Sequence, residues 1–400
     1  MVEISVILPV YNAGEFLREC LDSLINQTFR DIEMLCINDG SSDNSLEILN
    51  EYAKKDERII VVDQENMGVA KTRNNALKEV SGKFVYFMDS DDCLDLTALE
   101  KLHENITSND SDFCIMKAMF VNQDGIQHEH NAFSLDDEFG DVDYSNFTFN
   151  HRQIKSHVLN DLFAPWFKLY RNEFLKSDSD FVYPESKSYS DTPFHVKTIL
   201  KASKISFLPE HLYHYRYNSE SLVHDPANTL NFFRISDIIE EFLKKNNFFD
   251  EYESEFNEFK ADKLAYYMKF AESEEYYLKA KEELAKIDLS DVDEINRNRA
   301  EIILNSEDFS HAKLELELYN AQLRIEYLQE SYDSLKSNYV EIKGKYNQMK
   351  GNYIEVKDKY SAMKGRYLKL KEDYKNKSDE YNKLVNSKSW KVTKPLRKLK

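Results

Sequence analysis

Cysteine, glycine and proline are scarce in this 400-residue sequence, at 4, 9 and 7 residues. The cysteines occupy positions 20, 36, 93 and 114, and no two of them form a CxxC pair. This argues against a disulfide-stapled fold, so we expect reduced thiols in a cytoplasmic protein. The sequence does not begin with the basic stretch and apolar stretch of a secretion signal. It also lacks an apolar run of about 18 residues, the length needed to span a membrane. We therefore expect neither secretion by that route nor a membrane span.

Net positive charge is also lacking, since the formal charge is −19. Broad attraction to nucleic acid is therefore excluded, and an anionic ligand would need local donors or a bound cation. No GxGxxG stretch and no glycine-rich basic loop follows the first strand-like run, which argues against a dinucleotide-binding oxidoreductase and a nucleotidyltransferase. A hydrophobic content of 42% nevertheless predicts a globular protein.

Residues 4–116 alternate short apolar runs with amphipathic stretches of helical period. This alternation predicts βαβ units and an α/β fold with a mainly parallel sheet flanked by helices. The looser pattern that follows predicts the second half of the same domain, ending near residue 230. Residues 231–310 predict a small helical extension.

Each of the first four predicted strands ends in polar or turn-forming residues. Any one such end has an ordinary structural explanation, such as a turn or a helix cap, but four on one sheet edge predict a ligand site. The residues are Pro9, Tyr11 and Asn12; Asn38 and Asp39; Gln64, Asn66 and Gly68; and Asp89, Ser90, Asp91 and Asp92.

The acidic run DSDD at the fourth strand end places like charges side by side. Carboxylate oxygens suit Mg²⁺ or Mn²⁺, and such an ion keeps open positions for substrate phosphates. The run therefore predicts a metal that holds a diphosphate.

The stretches ISVILPVYNAGEFLRECLDSLINQTF, INDGSSDNS, ENMGVAKTRNNAL and FMDSDD follow one another in this order. Together they resemble the family 2 glycosyltransferases, inverting enzymes with the GT-A fold that use nucleotide-sugar donors. The resemblance covers roughly residues 3–225.

The resemblance implies a role for each strand-end residue. Asp89 and Asp91 would form a DxD metal site, and Asp39 would pair with the nucleotide base, usually uracil. Pro9 and Tyr11 would pack against the base, Asn66 and Arg73 would line the nucleotide and phosphates, and Asp92 would support the donor sugar. Ser90, within the acidic run, is a further candidate donor-binding residue.

Farther on, APWFKLYR resembles the family's W-x-K-L-[YF] stretch, and Tyr189-Ser190-Asp191 stands where the family has Glu-Asp. The resemblance implies that Asp191 is the general base, which takes a proton from the acceptor hydroxyl. Ser190 departs from the usual Glu. If that Glu only supports the base, activity survives; if the register differs, Asp191 is an N-cap and no more.

A histidine near this point completes the metal site in some relatives, which makes His214 a candidate third ligand. His211 competes for that role. A packed histidine among tyrosines is the ordinary alternative for either.

The last hundred residues repeat tyrosine every seventh position from Tyr332 to Tyr381, with an apolar residue three positions after most of them. This heptad pattern predicts a coiled coil over residues 311–386 and hence a homo-oligomer. A single solvated helix is the alternative. Residues 387–400 surround Trp390 with basic residues, which predicts peripheral contact with an anionic membrane surface or, alternatively, a solvated tail.

These features together predict a metal-dependent inverting glycosyltransferase that moves a sugar, from a UDP-sugar by resemblance, to a hydroxyl acceptor. The acceptor would be a saccharide, lipid-linked or polymeric, in surface polysaccharide, glycolipid or glycopolymer synthesis. The expected location is cytoplasmic, at the inner face of the membrane if the tail binds it. The alternative is a coiled-coil scaffold that carries a degenerate sugar-nucleotide domain.

Overall fold

The computed structural model describes residues 2–121, 127–130, 135–140, 142–159, 163–186, 188–216 and 225–387. These residues divide into two compact units between Tyr319 and Asn320. The predicted 1–230 domain and 231–310 extension both fall in the first unit. Of the predicted basic tail, residues 388–400 lie outside the described residues.

The strands form one sheet. In chain order they are β1 (Ile4–Val10), β2 (Ile32–Asp39), β3 (Ile59–Gln64), β4 (Phe84–Phe87), β5 (Cys93–Leu94), β6 (Phe113–Val121), β7 (Gln127–His130), β8 (Thr148–Phe149), β9 (Lys168–Arg171) and β10 (Ile205–Arg216).

The helices of the first half are α1 (Leu17–Ile25), α2 (Ser45–Ala53), α3 (Val69–Glu79), α4 (Ala98–Ser108), α5 (Asp136–Phe139), α6 (Asn172–Ser177) and α7 (Asp191–Lys201). Those of the second half are α8 (Asn231–Lys245), α9 (Phe249–Met268), α10 (Glu274–Leu284), α11 (Glu294–Asn305) and α12 (Phe309–Asn386).

The first four long strands are parallel, in the order β3-β2-β1-β4. β1 is buried along nearly its whole length, as expected for a central strand covered on both faces. On α1, the buried residues Leu17, Cys20, Leu21 and Leu24 recur at helical spacing and pack into the same core. The predicted α/β layout is therefore confirmed.

Beyond β4 the sheet becomes mixed. β9 runs antiparallel to both β4 and β6, whereas β10 runs parallel to β6. The short β5 pairs antiparallel with β10. This half holds strands from the region whose sequence pattern is loose, and it brings the segments around residues 91–95 and 213–216 together.

Helices α8 to α11 occupy the residues of the predicted helical extension and belong to the same compact unit as the sheet. α8 packs against α7 as well as against α9. Ser273 and Asp293 cap the starts of α10 and α11 by accepting backbone N–H groups, which satisfies donors that a helix start leaves open.

α12 runs unbroken for 78 residues. Within the described residues, no helix combines the length and the apolar character needed to cross a membrane.

Candidate active site

The loop after β1 is tied to the loop after β2. The side-chain oxygen of Asn12 accepts hydrogen bonds from the backbone N–H of Ser42, at 2.8 Å, and from its hydroxyl. Asn12 has a left-handed backbone, with φ of +50°, which asparagine tolerates better than most residues. Gly14 donates its N–H to Asp43 at 2.9 Å, and an ideal Cβ on Gly14 would lie 2.0 Å from Asn44 Oδ1. The first two predicted strand ends therefore meet.

The predicted base-stacking residues lie beside this junction. Pro9 is half-buried and pairs with Ile37 in the β1–β2 ladder. The Tyr11 side chain is 55% exposed, so its ring is accessible to a ligand. Their contact with a nucleotide base stays a prediction.

Asp39 joins the second strand end to the third. Its carboxylate accepts hydrogen bonds from Gln64 Nε2 at 2.8 Å and from the N–H groups of Met67 and Gly68, both at 2.9 Å. Asp39 is buried, so these donors offset the cost of its desolvation. A carboxylate offers about four lone-pair sites, and three donors leave capacity for a base. The structure thus shows a loop-holding role, and the nucleotide role stays a prediction.

The loop that Asp39 holds carries Asn66. Gly40, with φ of +72°, approaches this loop so closely that a Cβ would lie 2.6 Å from the Asn66 backbone nitrogen. Asn66 is exposed next to the second strand end, at the same edge as Tyr11.

Arg73 on α3 is the centre of the site. Its guanidinium donates to Asp191 Oδ1 at 2.6 Å and to Asp89 Oδ1 at 2.7 Å. Arg73 is only 3% exposed, and its guanidinium lies 5.4 Å from the centre of the Tyr183 ring. Burial works against its charge, but Asp191 and Asp89 prevail and raise the pKa of Arg73. Arg73 is therefore a fixed cation that joins two carboxylates 102 positions apart in the sequence.

Asp191 is the first residue of α7, after Ser190 at the N-cap position. Ser190 makes no capping hydrogen bond with its side chain, and the Asp191 carboxylate turns to Arg73. The alternative in which Asp191 only caps its helix is therefore not what the structure shows. Burial and the charge of Asp89 raise the pKa of Asp191, whereas Arg73 and Lys168 lower it.

The acidic run after β4 holds carboxylates in three different settings. Asp89 gives one oxygen to Arg73, and Ser90 is half-buried beside it. No described side chain donates a hydrogen bond to the Asp91 carboxylate; burial, together with the charge of Asp89, raises the pKa of Asp91 to about 6. Asp92 is buried.

Asp92 is held by β10. It accepts the Tyr213 hydroxyl at 2.6 Å and the Arg216 N–H at 2.7 Å. Burial and the neighbouring Asp91 and Asp89 charges raise the pKa of Asp92. In this structure Asp92 therefore anchors the acidic run, and its predicted contact with the donor sugar stays a prediction.

His214 lies on β10 opposite Cys93 of β5. Its Nε2 is 3.8 Å from Asp95 Oδ2, and its buried Nδ1 meets no hydrogen-bond partner among the described residues. The carboxylate that lies beside His214 is thus that of Asp95, a residue that sequence reasoning did not place in the site.

The acidic run fits a hard divalent cation in part. Asp91 is an ionisable oxygen donor without a described side-chain partner, and a cation would relieve its repulsion from Asp89. Across the described ranges, however, no group of three or more His, Cys, Asp or Glu side chains is arranged to hold a metal. Asp89, Asp91 and His214 as metal ligands therefore stay a prediction.

The WxKLY stretch, residues 166–170, contacts elements that carry site residues. Trp166 stacks on Tyr213, with ring centres 4.1 Å apart, and its carbonyl accepts the Tyr86 hydroxyl. Lys168 Nζ lies 2.5 Å from His195 Nδ1 on α7, and burial, together with this cation, lowers the pKa of His195. These contacts fix β9, β10 and α7 relative to one another.

The helical extension supports the segment that leads to Asp191. Arg234 donates to the Glu185 carbonyl at 2.9 Å, and Asn231 donates to the Ser188 hydroxyl at 3.2 Å. Tyr189, with φ of +62°, packs its ring 4.7 Å from that of Tyr267. Sequence reasoning found no role for this extension, because the contacts link positions far apart in the chain.

The model of the family Glycosyl transferase family 2 matches residues 5–178. Asp191 and His214 lie beyond the matched range, so the match does not cover the predicted base or the third predicted ligand.

Several curated proteins resemble the chain. Glycosyltransferase GlyA of Streptococcus pneumoniae serotype 4 is 33% identical over 226 residues, which are 55% of this chain and 31% of GlyA. Glycosyltransferase GlyG of the same organism is 30% identical over 245 residues, 60% of this chain and 79% of GlyG. The chain thus spans about a third of the first relative and most of the second.

TarS of Staphylococcus aureus, named poly(ribitol-phosphate) beta-N-acetylglucosaminyltransferase, is 32% identical over 224 residues, 55% of this chain and 36% of TarS. A crystal structure of S. aureus TarS in complex with UDP-GlcNAc has a TM-score of 0.51 and 24% identity, covering 80% of this chain and 92% of that one. That likeness shows a shared fold.

Proposed function

The chain belongs to glycosyl transferase family 2 and is a glycosyltransferase, and we propose that it transfers a sugar from a UDP-sugar to a hydroxyl acceptor with inversion at the anomeric carbon. The observation that carries this proposal is the pair of contacts made by Arg73 to Asp89 and Asp191. They put a carboxylate of the acidic run and the candidate base on either side of one buried cation.

In this mechanism Asp191 accepts the proton of the acceptor hydroxyl as that oxygen attacks the anomeric carbon. Arg73 holds the Asp191 carboxylate, and its charge opposes the rise that burial causes in the pKa of Asp191. Ser190, in place of the usual Glu, is tolerated here because Arg73 orients the base.

Asp89 and Asp91 would hold a divalent ion, Mg²⁺ or Mn²⁺, and His214 is the proposed third ligand. Such an ion stabilises the charge that develops on the departing nucleoside diphosphate. Asp92 contributes by keeping the acidic run attached to β10.

The nucleotide would lie at the strand ends, with its base against Tyr11 and Pro9 and its edge toward Asp39. Asn66 and Ser90 would line the phosphate and sugar side. Uridine is proposed because TarS, which shares the fold, is described in complex with UDP-GlcNAc.

For the acceptor we propose a saccharide or glycopolymer of the cell surface. The name of TarS, which refers to poly(ribitol-phosphate), supports a polymeric acceptor. Lipid-linked acceptors, peripheral contact of the tail with the inner face of a membrane, and oligomerisation through α12 stay predictions.

The proposal is tested by incubating the purified chain with UDP-, GDP- and TDP-sugars, with Mn²⁺ or EDTA, and measuring donor hydrolysis and transfer. Asp91→Ala and Asp191→Asn are assayed beside the wild-type chain. Asp110→Asn is the matched control, because Asp110 is 77% exposed and lies outside the site.

We expect turnover of a UDP-sugar that depends on metal, loss of turnover in both site variants and full activity in the control. If UDP with Mn²⁺ fails to bind in a calorimetric titration, the alternative of a scaffold with a degenerate domain replaces this proposal. Turnover that persists in Asp191→Asn would remove Asp191 as the base.

A further inference from the structure

The heptads of α12 carry a uniform charge on one flank. With tyrosine at position a, the e position of six successive heptads is lysine in every case. We call these residues the lysine row: Lys336, Lys343, Lys350, Lys357, Lys364 and Lys371. They recur about every 10.5 Å along the helix, from a rise of about 1.5 Å per residue.

The opposite flank, position g, is also basic or neutral through most of these heptads. It carries, in chain order, Asn338, Lys345, Asn352, Lys359 and Arg366. Lys345 pairs with Glu341 at 2.6 Å, and Lys359 pairs with Glu355 at 2.6 Å, both within the helix.

The lysine row itself has no such neutralisation. None of its members forms an ion pair among the described residues, and Lys343 contacts only the ring of Tyr339, at 5.8 Å. The lysine row therefore consists of positive charges without a described counter-ion. It lies beside the stripe of tyrosine and apolar residues at positions a and d.

This arrangement opposes pairing with a second copy over residues 336–371. In a parallel coiled coil, e faces g of the partner helix, and in an antiparallel one e faces e. An antiparallel alignment would bring lysine against lysine, and a parallel one would set three lysines of the row against Lys345, Lys359 and Arg366 and the other three against uncharged Ser or Asn. Neither alignment supplies a counter-charge, and charges at these positions determine partner choice.

The row is specific to these heptads. Upstream, the e positions are Glu315, Gln322 and Gln329, and the whole chain is acidic, at −19. A generally basic composition therefore does not explain the row.

The apolar stripe that the row borders is exposed. Tyr339, Ile342, Tyr346 and Met349 each show between 59% and 65% of their surface. A charged polymer would neutralise the lysines but leave this stripe in water, whereas a helix with its own apolar stripe would cover both.

We propose that residues 336–371 of α12 bind an unlike helix, one with apolar residues at a and d and with Asp or Glu at the positions that face the lysine row. The acidic flank neutralises the row, and the apolar faces pack together. The tyrosine hydroxyls reach solvent between the lysines.

The test uses the full chain and two synthetic peptides of six heptads, with Ile at a and Leu at d. One peptide carries Glu at every e and g position, and the other carries Lys. Binding is measured by fluorescence anisotropy, and the size of the free chain by sedimentation at low and high salt. The matched variants replace all six lysines of the row by Glu or by Gln, and circular dichroism checks that α12 stays helical.

We expect the chain to bind the Glu peptide at least about tenfold more tightly than the Lys peptide, because flank charges select the partner. The six-Glu variant should reverse this preference, and the six-Gln variant should lose it. Three results would overturn the proposal: self-association of the chain through residues 336–371 at low salt, equal binding of both peptides, or displacement of the Glu peptide by polyphosphate at equal charge.

Discussion

Arg73 and Lys343 each lie over a tyrosine ring, yet their surroundings differ completely. Arg73 is buried and bonded to two carboxylates, whereas Lys343 stands on an exposed helix without an ion pair among the described residues. In the first unit the fold itself supplies the partners of its charged groups. On α12 the helix supplies partners to Lys345 and Lys359, but none to the lysine row among the described residues. The row therefore carries information about a binding partner, whereas the paired charges of the first unit carry information about chemistry.

The largest expected effect is on catalysis, from a substitution of one of the two carboxylates that Arg73 binds. Asp191→Asn keeps the shape of the side chain but removes its ability to accept a proton. We expect kcat to fall by about 10³-fold, within the usual range for a general base, with little change in affinity for UDP. Steady-state kinetics at saturating donor, with Asp110→Asn as control, measures this. An unchanged kcat would contradict it.

Removing the cation between the carboxylates comes next. Arg73→Met leaves Asp89 and Asp191 facing each other with no compensating charge, and we expect a loss of about 3 kcal/mol in the free energy of unfolding. Urea denaturation followed by tryptophan fluorescence gives the value. Arg73→Met combined with Asp89→Asn should recover part of the loss, and no recovery would show that repulsion is not the cause.

A smaller effect is expected where a carboxylate serves backbone donors. Asp39→Ala leaves the N–H groups of Met67 and Gly68 and the amide of Gln64 without their acceptor, which should cost about 2 kcal/mol. The same denaturation experiment measures it. Asp39→Asn, which retains one acceptor oxygen, should cost less, and an equal cost would argue against the hydrogen bonds as the source.

The smallest effects are expected on α12. Gly344 is helical, and a Cβ there meets nothing within 4 Å, so Gly344→Ala should stabilise the helix locally by about 0.8 kcal/mol. Hydrogen exchange of nearby amides would report it.

Tyr346→Ala should change the free energy of unfolding of the first unit by less than about 0.5 kcal/mol. A large destabilisation by Tyr346→Ala would show that the stripe is already covered.

The βαβ layout could be predicted because it depends on local patterns. The apolar runs that became β1 to β4 alternate with amphipathic stretches, and the polar residues at their ends meet as expected for parallel strands. The contacts of Asn12 with Ser42 and of Asp39 with the 64–68 loop follow from that topology.

The mixed half of the sheet could not be predicted in the same way. β9 and β10 come from a region of loose pattern, and their insertion beside β4 and β6 is what sets Trp166 against Tyr213 and Asp92 against Arg216. Pairing between strands so far apart in the chain depends on which surfaces fit together. The residue pattern of a single sequence does not identify those surfaces.

By itself, then, the sequence determined the α/β class, the row of strand ends, the acidic run and the heptad pattern with its lysine row, since each follows from residue types at short spacing. Only the tertiary structure decided that Arg73 joins Asp89 to Asp191, that Asp39 and Asp92 are held by loop and strand donors, and that His214 faces Asp95. The physical reason is that burial and long-range contact, which set the charge and hydrogen bonds of these groups, arise only when distant segments pack together.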